Sequence, residues 1–143
     1  MVPKTELIYS FPYNRLFNKS FNYNNLKELK NKYSKFEQLY SKYIKKILSL
    51  IEEYNEPWKK QFIAIYLTEN TVPISEPLTL RYEPNEKYLL VVLIHELIHN
   101  NITKKFKDSK ELHKFIDKII IDICSQLDIN LISEIEELKR RIT

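Results

Sequence analysis

The chain has 143 residues, 43% of them hydrophobic and 29% charged, which suits one globular domain with a real core. A single cysteine excludes an intramolecular disulfide and a cysteine-rich zinc cluster, and the absence of glycine excludes a glycine-rich phosphate loop or dinucleotide fingerprint. The net charge of +4 comes from lysines interspersed with glutamates rather than gathered in one block, so a nucleic-acid partner is not expected.

Residues 1–22 are rich in Tyr, Phe and Asn and contain Pro3 and Pro12 without clean periodicity, which predicts an extended arm packed by its aromatics over a hydrophobic edge. From 25 to 54 the apolar residues Leu26, Leu29, Tyr33, Phe36, Tyr40, Tyr43, Ile47, Leu50 and Tyr54 recur in alternating steps of three and four. That spacing predicts one long amphipathic helix whose stripe serves the core, and its period of about 3.5 residues also suits pairing with a second copy in a homo-oligomer. Pro57 ends the region.

Residues 58–68 contain FIAIYL, a β-branched and aromatic run of strand length, and 78–82 read LTLRY with period-two alternation. The turn-forming ENTVPISEP lies between them, so a ribbon of two or three strands is expected, with Pro73 and Pro77 leaving an edge. Pro84 and Asn85 open the next helix, which carries the aliphatic run 89–94. That run is far short of the ~20 residues a spanning helix needs, and the N-terminus lacks a signal-peptide core, so a cytoplasmic protein without membrane association is expected.

Asp108, with Glu111 three residues on, forms a capping box for a helix running to about residue 127 with Leu112, Phe115, Ile116, Ile119, Ile120 and Ile123 as its stripe. Cys124, beside that stripe, reads as a small buried hydrophobe. Asn130 separates a last short helix over 131–141, in a C-terminal tail over 129–143. The fold class expected is α+β: a mainly helical single domain with a small sheet.

Within 89–101 the chain reads LLVVLIHELIHNN, placing two of its three histidines and a glutamate in the pattern H-E-x-x-H. On a helix advancing about 100° per residue, His95 and His99 share a face and can bind one metal ion, while Glu96 is turned toward a water on that ion. A catalytic zinc site has three protein ligands and an open position. The third must come from elsewhere, and the following helix, folded back antiparallel, offers Glu111, His113, Asp117 and Asp122. Glu111 is engaged at the helix cap, and Asp122 lies roughly 20 Å along the axis. His113, which an antiparallel return brings level with His95 and His99, is assigned as ligand, with Asp117, one turn on, as its orienter or substitute, and Asp122 stays as the further alternative should the motif helix continue well past His99.

The residues HELIH, on an apolar helix after a strand such as LTLRY and before a second helix, resemble the zincin metallopeptidases. In size and element order the chain is similar to the minimal gluzincin-like peptidases of archaea, which take a glutamate from the later helix as third ligand; here that helix has only Glu111. A histidine fourteen residues after the motif is more similar to the SprT-type proteases, which act on proteins bound to DNA. No metzincin pattern is present, because Lys105 stands where its third histidine would fall. The resemblance implies one catalytic zinc ion, Glu96 as general base, and a peptide or protein substrate held extended by the strand over 78–82; the enzyme expected is one that its own arm or tail, or self-association, can keep latent. Tyr82 and Tyr88 are the nearest donors for a tetrahedral oxyanion. The alternative is a non-catalytic, zinc-stabilised module that binds a protein or nucleic acid through its long helix.

Overall fold

The computed structural model describes residues 1–142. In chain order it contains β1 (Lys4–Ile8), α1 (Phe11–Phe17), α2 (Tyr23–Lys32), α3 (Ser34–Tyr54), β2 (Phe62–Thr68), β3 (Ile74–Ser75), β4 (Leu78–Arg81), α4 (Glu86–Asn101), α5 (Ser109–Ser125) and α6 (Ile132–Ile142). The class is α+β as expected, with helices packed against a small mixed sheet.

The element that organises the packing is α4. Asn85 caps its N-terminus, its side chain accepting from the Lys87 and Tyr88 amides. Every residue from Tyr88 to Ile98 is buried, so this helix has no solvent stripe, as a helix apolar on all sides requires. It is surrounded by α3, α5, α6 and the β3–β4 end of the sheet. Leu90, Val91, Leu93, Ile94, Leu97 and Ile98 have no measurable exposure. At about 1.5–3 kcal/mol for each fully buried aliphatic side chain, this row is a major part of what holds the domain together. At the far end, the Asn101 amide donates to the Glu56 carbonyl at 3.0 Å and tethers the helix to the loop after α3.

The strand order is β1-β2-β4-β3, with β1 and β4 parallel to β2 and β3 antiparallel to β4. The sheet thus has four strands rather than two or three. The extra one comes from the N-terminal segment, whose Lys4–Ile8 pairs with Phe62–Tyr66. The extended arm expected over 1–22 is therefore corrected: it supplies an edge strand and then a short helix, with Ser10 accepting from the Tyr13 amide and Pro12 in the first turn. β4, expected to offer a free edge to substrate, is instead flanked by β2 and β3, and the two-residue β3 forms that edge.

The single long helix expected over 25–54 is interrupted. α2 ends and α3 begins at Tyr33, whose ψ of −1° departs from helical geometry. Tyr33 is fully buried, and its hydroxyl donates to the Thr68 carbonyl at 2.8 Å and lies 3.3 Å from that of Leu80, so the break anchors the helix pair to β2 and β4. Along α3 the stripe packs against α4 and α5 in this chain's own core. Tyr33→Phe is expected to lower stability by only about 1 kcal/mol in urea unfolding. Both carbonyls keep a second donor, the Tyr82 amide on Thr68 and the Thr68 hydroxyl on Leu80, so neither is left orphaned.

α5 starts where expected, with Asp108 accepting from the Glu111 amide at 2.8 Å and Glu111 accepting from the Lys107 amide at 3.2 Å. Ile116, Ile119, Ile120 and Ile123 form its buried stripe. Cys124 is buried beside them, and desolvation pushes its thiol up to about 12. At pH 8 it is protonated, whereas a thiol of ordinary value near 8.5 is partly thiolate. Native protein at that pH is expected to resist iodoacetamide for hours and to react within minutes in guanidinium, read as mass added to the intact chain. No described helix is long and apolar enough to cross a membrane.

Candidate metal centre

The motif histidines sit on the last two turns of α4, where the helix leaves the core. His95 is 5% exposed and His99 half-buried. Their Nε2 atoms lie 3.1 Å apart. Two nitrogens of a tetrahedral zinc at about 2.0–2.1 Å each are separated by about 3.3 Å, so the pair already has the spacing of two ligands. His113 joins them from the first turns of α5, its ring 5.7 Å from that of His95 and 5.6 Å from that of His99. One ligand atom from each of the three lies within 4.8 Å of the others.

The order of elements accounts for this meeting. The segment 102–108 turns the chain after α4 and α5 returns against it, so a residue early in α5 comes level with the end of α4. The structure thus brings together the three histidines selected from sequence. Glu111 is exposed and occupied at the helix cap, and neither Asp117 nor Asp122 belongs to the three-imidazole group. Asp117 is half-buried, and desolvation raises its pKa while the charges of Lys139 and His113 act the other way. The neighbour at His113 Nδ1 is the Ser109 hydroxyl at 3.3 Å, in place of the Asp117 expected as orienter.

Desolvation dominates the electrostatics. Burial holds His95 at about 3, with the neighbouring His99 and His113 adding to the effect, and burial followed by His113 lowers His99. Both imidazoles are therefore neutral at physiological pH, the form that carries a ligating lone pair. His95 Nδ1 is buried with no hydrogen-bond partner among the described residues. The donor set suits zinc: three imidazoles each offer a nitrogen within 4.8 Å of the others, which leaves the fourth position of a tetrahedral ion for an exchangeable oxygen.

Glu96 is 7% exposed, and burial alone pushes its carboxyl up to about 7. With His95 it lines a cleft of about 200 Å³ whose other walls include Arg81 at the end of β4, Glu83 just beyond it, Tyr88 two turns earlier on α4, and Leu138 and Arg141 of α6. Tyr88 is thus in the cleft, whereas Tyr82 is turned away, edge-on to Tyr33 at 5.4 Å with Lys32 over its ring at 5.5 Å. On the other side, His99 opens into a groove of about 440 Å³ formed with the segment between α4 and α5.

The next residue of the motif helix ties it to the sheet edge. The Asn100 amide donates to the Ser75 carbonyl of β3 and, at 3.3 Å, to the Glu96 carbonyl, while its oxygen accepts from Lys60, which also pairs with Glu76. The edge strand and the histidine face are therefore held in fixed relation by one side chain.

Sequence reasoning missed Arg81, Glu83, Leu138 and Arg141. Arg141 Nη1 bonds Glu83 at 3.0 Å, its Nε bonds Glu137 at 2.9 Å, and its guanidinium lies 4.4 Å over the Tyr88 ring. In sequence it belongs to a basic run that reads as the cationic end of a helix. No signal there pointed to the cleft. The chain matches no known protein family, no curated protein and no solved structure.

Proposed function

We propose that this chain is a zinc-dependent metallopeptidase. The observation that supports the reading is the convergence of three imidazoles within 4.8 Å beside a buried carboxyl that faces a cleft. His95, His99 and His113 would hold the ion, and a zinc ion so bound supplies Lewis acidity toward a carbonyl and acidifies water.

The remaining chemistry belongs to the chain's own groups. Glu96, on the same helix face as the cleft and with a carboxyl held at about 7, is suited to take a proton from water and deliver it to the leaving amine near neutral pH. The outer strand β3, tied to α4 by the Asn100 amide on the Ser75 carbonyl, is the strand beside which an extended peptide would run. Tyr88, which lines the cleft, is a better candidate donor for the oxyanion than Tyr82, which does not.

The test is cleavage of a quenched-fluorescence peptide mixture by zinc-loaded protein, with and without chelator. Chelation is expected to stop cleavage, added zinc to restore it, and the melting transition to persist, because α4 is held by apolar packing on all sides. No cleavage, together with loss of the fold on chelation, would instead support the zinc-stabilised binding module.

A further inference from the structure

The cleft beside Glu96 carries two guanidinium groups, Arg81 and Arg141, that the peptidase reading does not use. They converge from different elements, Arg81 from the end of β4 and Arg141 from the last turn of α6. Glu83 lies between them, its carboxylate accepting from Arg81 at 3.3 Å and from Arg141 at 3.0 Å. One carboxylate thus faces two cations. Arg141 is further oriented by the Tyr88 ring beneath it and by Glu137.

A structural tie accounts for Arg141, which fastens α6 to the segment after β4 through Glu83, but poorly for Arg81. The Arg81–Glu83 pair joins residues two apart on one strand end and fastens nothing distant. Both arginines keep about two-fifths of their side-chain surface open, and exposed pairs of this kind add little stability. What the arrangement does achieve is to fix two planar, multiply donating groups at the wall of a cleft of about 200 Å³, a size for one side chain. Guanidinium groups so held match a carboxylate, which can take two parallel N–H donors.

Resting on the peptidase reading, we propose that this cleft is a subsite for a carboxylate of the peptide substrate, with Arg81 and Arg141 as the specificity-determining residues and Glu83 as the group that positions them. The carboxylate is either an acidic side chain next to the scissile bond or the C-terminus of the peptide.

The test uses fluorescein-labelled serine-alanine octapeptides with glutamate or glutamine at each position in turn, each with a free or an amidated C-terminus. Binding is measured by fluorescence anisotropy to zinc-loaded Glu96→Gln protein, and kcat/KM on the parent. A glutamate preference of roughly tenfold or more at one position supports an acidic side-chain subsite, and the same preference for the free acid over the amide supports a C-terminal one. Arg81→Gln and Arg141→Gln are each expected to bring the ratio toward one, with Arg81→Lys retaining part of it. Because Arg141 also fastens α6, the Arg81 variants decide the matter if Arg141→Gln does not fold. Equal binding of glutamate and glutamine peptides, and of acid and amide, overturns the proposal, as does a ratio that survives in folded Arg81→Gln. Cleavage without carboxylate preference removes this proposal and leaves the peptidase reading. Carboxylate-selective binding without cleavage removes the peptidase reading and keeps the cleft.

Discussion

Replacing His113 with alanine is expected to lower zinc affinity by roughly a hundredfold or more. Structural zinc sites with four ligands bind with about 10–16 kcal/mol, so each ligand carries on the order of 3 kcal/mol, about two decades in affinity. His113 is half-buried near the start of α5 and outside its apolar stripe, so its removal leaves the Asp108 cap and the core intact. The loss is read by competition with a chromophoric chelator, and by a weaker visible band in the cobalt-substituted protein as an imidazole is replaced by water. Asp122→Ala is expected to leave affinity unchanged, and Asp117→Ala to cost less than His113→Ala, because neither carboxylate stands among the three imidazoles. An unchanged affinity in His113→Ala, or a larger loss in Asp117→Ala, overturns the ligand assignment.

Glu96→Gln is expected to reduce peptide cleavage by roughly 10²–10⁴-fold, the scale of a positioned acid–base group, while one zinc ion stays bound. The amide has the carboxyl's shape and cannot take up a proton from water, so the variant separates chemistry from architecture. No described hydrogen bond holds the Glu96 carboxyl, and its ionisation is disfavoured by burial, so the neutral amide costs the fold nothing comparable. Zinc content by atomic absorption and the melting temperature should both match the parent. Full cleavage in this variant would mean that any observed activity belongs to another group or another protein.

Where an element's identity was encoded locally, it could be read from the sequence. α4 declared itself through Asn85 and an unbroken apolar run, and α5 through Asp108 and a stripe of isoleucines. The elements misread are those decided by partners. Lys4–Ile8 has little strand character of its own and becomes β1 because β2 offers its edge. Tyr33 fits the helical stripe on either side of the break, so periodicity could not reveal that its hydroxyl is drawn to two strand carbonyls. The two-residue β3 is too short to signal, and missing it made β4 look like the edge.

The same division runs through the site. His95, Glu96 and His99 are a local pattern on one helix, and His113 could be proposed because an antiparallel return of the next helix brings its first turns level with them. The cleft walls could not be inferred. Arg81 and Arg141 are sixty residues apart, and only the packing of α6 on α4 brings both to Glu83.

Because α4 is enclosed on every side, it offers natural variation almost no foothold. A change at nearly any position from 88 to 98 disturbs either the core or the histidine face, so the helix that carries the motif is expected to be the part least able to drift. The walls supplied by the β4 end and by α6 include the part-exposed Arg81 and Arg141, where substitution disturbs the core less. On the peptidase reading, preference for one substrate over another would be rewritten there, by exchange of a few side chains, while His95, Glu96 and His99 stay where they are.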